Sequence, residues 1–351
     1  MKGFADSGIV ITGGAGFVGS NLARHLLTQD VRSITIVDNL LSSEQSNIPE
    51  DPRISFIEGS AADDETLKRL PASCDYVFHL STFHGNQNSI YNPLADHENN
   101  LLPTLKLFIR LGVLSGVKKV VYASAGCVVA KKGVAEAEAT DEEAPLFLEQ
   151  DSPYAISKVV GEYYSVYFHS RHCLPVVRAR FQNVYGPGEI LGAGQWRGTT
   201  ASVWRNVIPV FVYKAFHGQS LAIDGDGSAT RDFIFVEDIV HGLERCALQG
   251  AAGDVYNLAS GIESSILTLA QTINSLTGND APLRFAPGRP WDHSTKRFGS
   301  AEKAKKDLGF VALVSLDDGL RRTIEWTRQN LPFIEACIER HRAQLENARS
   351  D

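Results

Sequence analysis

No run of apolar residues in the 351-residue sequence is long enough to span a membrane, and the opening MKGFADSGIV carries no long apolar core before its first strand-like run. Neither a membrane protein nor a secreted precursor is expected, and the expected compartment is the cytoplasm. Positive charge is in deficit: 34 Lys and Arg face 41 Asp and Glu, a formal net charge of -7. This disfavours a general surface for nucleic acid or anionic lipid, so any hold on phosphate has to be local. The sequence has no CxxC. Its five cysteines, Cys74, Cys127, Cys173, Cys246 and Cys337, are odd in number and widely spaced. Neither a disulfide framework nor a zinc site is expected, nor any other metal. Internal repeats and low-complexity stretches are missing too. What remains is an ordinary globular balance, 43% hydrophobic and 21% charged, in a chain longer than one hydrophobic core usually organises.

The stretch from Gly8 to Asp38, GIVITGGAGFVGSNLARHLLTQDVRSITIVD, supplies the organising feature. Ile9, Val10 and Ile11 form an apolar run too short for a helix, which reads as a buried parallel strand. Gly14, Gly16 and Gly19 then satisfy G-x-G-x-x-G, with Gly13 opening the turn. Such glycines permit a tight turn, close backbone approach to a pyrophosphate and close packing of helix on strand. Phe17 to Thr28 reads as a helix whose free N–H groups face the phosphates. Ile34, Ile36 and Val37 make a second strand ending at Asp38, near the twenty-residue spacing at which a carboxylate accepts from the adenosine ribose hydroxyls. No Arg or Lys follows Asp38 in Asn39, Leu40, Leu41 and Ser42, so NAD is expected rather than NADP.

Strand-like and helix-like segments alternate onward. RISFIEG (Arg53 to Gly59), CDYVFHLS (Cys74 to Ser81), VKKVVYAS (Val117 to Ser124) and LPVVRARF up to Phe181 read as strands. Asp63 to Leu70, Asp96 to Leu114 and Ser152 to Arg171 read as helices, the last with Asp151 or Ser152 as cap and Pro153 in its first turn. Ala130 to Asp151 is polar and acidic and reads as a loop. Beyond Asn183 a Gly-rich loop, the strand Arg231 to Val236 and further helices follow. The expected class is α/β: a doubly wound parallel sheet of Rossmann type with a smaller, interleaved α/β substrate-binding lobe. The expected division is 1–182 with 234–260 returning to it, against 183–233 and 261–351.

Tyr154 and Lys158 form the expected catalytic pair. Four residues apart on a helix, they share a face, and an ammonium beside a phenol favours the phenolate. That gives a general base able to take a proton from a sugar hydroxyl while hydride moves to nicotinamide.

The ordered set TGGAGFVG (Thr12 to Gly19), DNL (Asp38 to Leu40), ENN (Glu98 to Asn100), YAISK (Tyr154 to Lys158), RFQNVYGPG (Arg180 to Gly188) and GDGSATRDFIFVEDI (Gly225 to Ile239) resembles one family. It is similar to the extended short-chain dehydrogenases/reductases of the NAD-dependent epimerase/dehydratase family that act on nucleotide-diphosphate sugars, from Ile9 to about Leu320. The resemblance implies that Gly13, Gly14, Gly16, Phe17, Val18, Gly19, Asp38, Asn39, Leu80 and Asn99 hold NAD together with Tyr154 and Lys158. It implies that Asn183 contacts the sugar diphosphate, that Arg231 and Arg289 grip its phosphates, and that the loop of Trp196 and Thr199 shapes the sugar pocket. Guanidinium groups suit diphosphate oxygens, although each arginine could instead serve a structural ion pair. A homodimer through the Asp96 and Ser152 helices is implied as well.

The departures from the family pattern carry as much information. The family's Ser or Thr before the catalytic helix falls on Ala125, with Ser124 one residue early and Cys127 two residues late. Either Ser124 substitutes through a shifted turn, or Cys127 takes part in proton transfer, as in the GDP-mannose 3,5-epimerase relatives, or Cys127 is a small buried filler. Gly126 and Cys127 stand where sugar-nucleotide 4,6-dehydratases carry an Asp-Glu pair, which argues against dehydration. Ser60 stands where relatives often place an Asp near the adenine. His84 and Gln87 follow a strand end, where they reach the sugar or are satisfied by backbone. The simplest implied activity is C4 epimerisation of a UDP-hexose or UDP-hexuronate through a transient 4-keto sugar. The alternatives are a C3/C5 epimerase of a GDP- or other NDP-sugar using Cys127, a dehydratase or decarboxylase, and a nucleotide-binding protein without turnover.

Overall fold

The computed structural model describes residues 3–114, 116–128, 139–146, 148–289, 292 and 296–348, and the Cys127 side chain is outside what it describes. The first half alternates β1 (Gly8–Thr12), α1 (Phe17–Leu27), β2 (Ser33–Asp38), β3 (Ile54–Glu58), α2 (Asp64–Lys68), β4 (Tyr76–His79), α3 (Asn86–Tyr91), α4 (Pro93–Asp96), α5 (Leu102–Gly112), β5 (Lys119–Ala125), α6 (Pro153–His172) and β6 (Val176–Phe181). There follow β7 (Asn183–Tyr185), α7 (Val207–Phe216), β8 (Ala222–Asp224), β9 (Thr230–Phe235), α8 (Val236–Gln249), β10 (Val255–Leu258), β11 (Glu263–Ser265), α9 (Ile266–Thr277), β12 (Arg284–Ala286), β13 (Lys296–Arg297), α10 (Glu302–Leu308), α11 (Leu316–Gln329), α12 (Leu331–Glu339) and α13 (Arg342–Asn347).

Seven strands form one sheet in the order β10-β6-β5-β4-β1-β2-β3, and every pairing in it is parallel. Its strands are apolar on both faces because both are covered. Ile9 and Ile11 enter one core with Phe78, Val121 and residues of α1 and α8, while Val10 enters the other with Val77, Val120, Phe108 of α5 and Phe168 of α6. The chain order reverses between β1 and β4, which is where a doubly wound sheet opens a crevice beyond its strand ends. A cleft of about 860 Å³ lies there, walled by residues that follow β1, β4 and β5.

The second set of strands centres on β9, which pairs antiparallel with β11 and parallel with β7 and β13, while β8 pairs with β12. Its core gathers Phe211, Ile223, Phe233, Phe235, Leu269 and Leu320. Five of these strands are only two or three residues long, too short to carry a two-residue period, so the sequence shows no sign of them.

One expectation needs correction. The single helix read from Asp96 to Leu114 is α4 and α5 joined by a π-type turn at His97–Leu101. Pro103 has no N–H for the carbonyl four residues back, so the ladder loosens ahead of it. Thr104 Oγ1 donates to the neighbouring Asn100 carbonyl at 2.6 Å. The ENN triplet lies in this turn, and its placement serves the site.

Candidate active site

The glycine elbow is held by close approach on two sides. Gly13 has φ +74°, and a Cβ there would lie 2.7 Å from the Ser81 nitrogen. A Cβ on Gly19 would run into the Gly13 carbonyl, so α1 can sit on the turn only with glycine at that point. No side chain caps α1 at Gly16, which leaves the first N–H groups of the helix for an anion. Asp38 closes the far wall, 8% exposed. Its Oδ2 accepts from Ala15 N at 3.0 Å, and its Oδ1 from Leu40 N at 2.9 Å and Ser43 Oγ at 2.8 Å. Burial raises its pKa against the pull of these bonds, and the lone pairs left over are what a ribose diol requires. Asn39 Nδ2 donates to Asn99 Oδ1 at 3.2 Å, joining the β2 end to the π-type turn. Phe17, Val18, Leu80, Asn99 and Ser60 line the same cleft, whereas Gly14 packs behind it on Ile36. A cradle that a Cβ would fill, free helix amides and a buried carboxylate together fit a dinucleotide.

At the other end, Ser152 is the cap of α6: its Oγ accepts from Ala155 N at 3.2 Å, with Pro153 in the first turn. Tyr154 and Lys158 then face the cleft from one side of the helix. The Lys158 Nζ lies 5.7 Å from the centroid of the Tyr154 ring, donates to the Ala123 carbonyl at 2.9 Å, and is 5% exposed. The depth of α6 is set by Gly161, where any Cβ would overlap the Tyr122 hydroxyl. The His84 ring meets Tyr154 edge to face at 5.9 Å between centroids. Asn100 fixes the loop bearing His84, accepting from Phe83 N at 2.7 Å and donating to Asp96 Oδ1 at 2.7 Å. Asp96 in turn bonds Ser157, so the ENN turn braces α6.

The strand end departs from the pattern as the sequence implied. Ala125 lines the cleft with no hydroxyl to offer. The Ser124 hydroxyl donates to Glu162 Oε1 at 2.6 Å and is 2% exposed. Arg180 holds the same carboxylate through Nε and Nη2, each at 2.8 Å. Ser124 is therefore spent on a buried network. Cys127 has its backbone in the short turn Gly126–Val128, and its side chain lies outside the described residues.

On the substrate side, Asn183, Arg231, Arg289 and Arg297 line the cleft. Asn183 Nδ2 donates to the Asp232 carbonyl at 3.2 Å. Arg231 pairs with Asp292 at 2.8 Å and Arg289 with Asp224 at 2.6 Å. Both structural ion pairs thus exist, and both guanidinium groups still face the cleft. Burial lowers the Arg231 pKa, with Arg297 adding repulsion. Trp196 and Thr199 are not on the cleft wall: Trp196 packs on His341, and Thr199 Oγ1 donates to Asn88 Oδ1 at 2.7 Å. Their neighbours Thr200 and Ala201 line the cleft instead.

Several participants went unread in the sequence. Glu162 and Arg180 are one example. His79, 2% exposed, is another. Thr104 spends its only hydroxyl hydrogen on Asn100, so it accepts from His79 Nε2–H at 2.9 Å, which leaves Nδ1 to accept from Thr12 Oγ1 at 2.6 Å. Glu189 and Arg197 are buried around the cleft as well, with Arg205 half-buried beside them, and only an apolar or Gly-rich context for a charge could have pointed to them. Among the described residues, no group of three or more His, Cys, Asp or Glu could hold a metal, and no helix is long and apolar enough to cross a membrane.

Comparison with known proteins agrees with this arrangement. The structure superposes on Bordetella bronchiseptica WbmF in complex with NADH at TM-score 0.89, with 54% identity and 98% of each chain covered. The same enzyme has been solved with NAD+ and UDP, there with 55% identity, TM-score 0.87, and 97% of this chain and 98% of that one covered. UDP-glucose 4-epimerase of Mycolicibacterium smegmatis is 29% identical over 323 residues, covering 91% of this chain and 98% of the relative. A trifunctional UDP-glucose 4,6-dehydratase/UDP-4-keto-6-deoxy-D-glucose 3,5-epimerase/UDP-4-keto-L-rhamnose-reductase of Arabidopsis thaliana is 27% identical over 337 residues; 93% of this chain aligns, and it spans 48% of that relative. The model of the NAD dependent epimerase/dehydratase family matches residues 9–259, and the chain belongs to that family.

Proposed function

We propose that this chain is an NDP-sugar epimerase with tightly held NAD, inverting C4 of a UDP-hexose or UDP-hexuronate. The observation that carries the reading is the Tyr154–Lys158 pair, set on the cleft wall beside the end of β5 with its ammonium 5.7 Å from the phenol ring. Gly13, Gly16, Phe17, Val18, Gly19, Asp38, Asn39, Leu80 and Asn99 would hold the dinucleotide. When bound, it supplies the reversible hydride acceptor that a transient 4-keto sugar requires. Tyr154 takes the 4-hydroxyl proton at its phenolic oxygen and returns it, and the Lys158 charge makes that oxygen a competent acceptor. Arg231 and Arg289 hold the diphosphate, and Asn183 lies against it. A uridine nucleotide is favoured because the WbmF enzyme accommodates UDP in a chain of the same fold.

Dehydration is less well served. Gly126 and Cys127 stand in place of the dehydratases' Asp-Glu pair, so no carboxyl group is there to move a proton. The proposed division assigns 1–182 and 234–260 to the cofactor and 183–233 and 261–351 to the substrate. A homodimer is proposed through one apolar stripe: Ile109 of α5 with Ile156, Tyr163, Val166 and Tyr167 of α6, each 45% exposed or more.

The test is incubation of the purified protein with UDP- and GDP-hexoses and hexuronates in heavy water, with the sugar read by NMR. The expected result is inversion at C4 with no deuterium on carbon. Deuterium at C3 or C5 favours the Cys127 chemistry, a change of mass favours dehydration or decarboxylation, and no product from the whole panel with NAD bound favours a protein without turnover.

A further inference from the structure

The corner of the cleft beside Tyr154 holds a buried cation, Arg197, that no carboxylate pairs with among the described residues. Arg197 is 6% exposed, and its Nη1 donates to the His84 carbonyl at 2.9 Å. Its Nε and Nη2 are buried with no hydrogen-bond partner, and no carboxylate pairs with it among the described residues. Among the described residues, the guanidinium's other favourable contact is the Phe83 ring, 5.5 Å from Cζ. A guanidinium keeps its proton in any such setting, so the charge stands. Arg205 lies near enough to repel it and spends its own donors on the carbonyls of Ser202, Ser42 and Ala193.

His84, whose carbonyl Arg197 holds, lines the cavity, and so does Gln87 three residues on. Neither ring nitrogen of His84 has a hydrogen-bond partner among the described residues, nor has the Gln87 amide. Burial first, and then the cations Arg197, Arg205 and Lys158, lower the His84 pKa to about 3, so the imidazole is neutral and donates from one ring nitrogen. Burial of an uncompensated cation is costly, and it persists where an anion from outside completes the site.

We propose that His84 and Gln87, backed by the buried Arg197 charge, form an anion subsite in the sugar pocket, and that the sugar is a hexuronate whose carboxylate occupies it. The inference rests on the nucleotide-sugar reading and chooses within it. His84 and Gln87 donate to the carboxylate oxygens, and Arg197 acts through the His84 loop as a positioning and charge-supplying residue. Arg197 itself is not on the cleft wall, so a carboxylate held by His84 and Gln87 balances its charge across the His84 loop, whereas a neutral hydroxymethyl group does not.

The test is calorimetric binding to the NAD-loaded protein of UDP, UDP-glucose and UDP-galactose against UDP-glucuronate and UDP-galacturonate. The acidic sugars are expected to bind at least tenfold more tightly than the neutral pair. In Arg197→Gln that preference falls below threefold, while UDP alone keeps its affinity within threefold, and Arg197→Lys restores part of the preference. Equal wild-type affinity for neutral and acidic sugars overturns the proposal, and this arm needs no variant. So does Arg197→Gln weakening NAD or UDP as much as the acidic sugars, which assigns the charge to the phosphates. Because the readout is binding, a protein that prefers hexuronates yet turns none over sinks the epimerase reading and leaves the subsite standing.

Discussion

Replacing Lys158 by Met keeps the length of the side chain and removes its charge, which isolates the electrostatic part of the catalytic pair. The Nζ sits 5.7 Å from the Tyr154 ring centroid in a site where Lys158 is 5% exposed. At an effective dielectric constant near 20, a unit charge at that separation is worth about 3 kcal/mol to a phenolate. At about 1.4 kcal/mol per pH unit, the acid limb of the kcat–pH profile should move up by about two units. Near neutral pH the rate should fall about a hundredfold, with recovery as the pH rises toward the shifted limb. Losing the 2.9 Å bond to the Ala123 carbonyl adds a general cost of about 1 kcal/mol that does not depend on pH. The assay is kcat for UDP-sugar inversion across pH at saturating NAD, so that weakened cofactor binding does not enter. A Lys158→Met profile parallel to wild type, lowered by one factor at every pH, would refute the electrostatic argument and leave Lys158 a purely positional role.

Three further outcomes are expected. Tyr154→Phe should retain NAD, followed by absorbance of the protein-bound dinucleotide, and lose turnover by at least a thousandfold; a rate within tenfold of wild type removes the assigned base. Glu189 is 8% exposed, one carboxylate oxygen has no partner, and burial pushes its pKa up to about 7. Since the folded value lies above the unfolded one, its stabilisation is whole below about pH 4.5 and lost as pH rises through 7. Glu189→Gln should therefore be more stable by about 2–3 kcal/mol at pH 8 and no more stable at pH 4.5, read by urea unfolding; an equal gain at both pH values defeats the assignment. In the proposed dimer, Tyr163→Asp together with Val166→Asp should give a monomer by light scattering with unchanged helix content. A wild-type protein that is monomeric at micromolar concentration rules the interface out.

How far the sequence could be read depended on how far apart the interacting residues lie. The glycine elbow, β1, β2 and Asp38 fall within one local stretch, and both its pattern and its chemistry were visible in order. The Tyr154–Lys158 spacing was visible for the same reason, since a helix sets it. Glu162 was hidden because it meets Ser124 across 38 positions and Arg180 across 18, and such a pairing leaves no periodic trace. The π-type turn was hidden because its cause, Pro103, also fits the first turn of a helix. The loop of Trp196 and Thr199 was placed by resemblance near the sugar, whereas its wall is made by the residues immediately after it. Glycine at 161 reads as a weak point in a helix, and only the Tyr122 hydroxyl opposite shows why nothing larger fits.

Ser124, Glu162 and Arg180 together bear on how the chemistry is divided. A carboxylate 1% exposed requires its donors, and Arg180 and Ser124 supply three of them. Turning Ser124 toward the cleft would strip a hydrogen bond from a buried charge, at a cost of about 1.5–3 kcal/mol. A sugar hydroxyl in the cleft offers a neutral partner worth less than that, so the serine stays where it is. Since Ala125 has nothing to donate, the proposed reaction leaves the proton of the sugar hydroxyl to Tyr154 among the described side chains of this strand end and helix. In that proposal the strength of the phenol as a base depends on Lys158, whose ammonium lies 5.7 Å from its ring centroid.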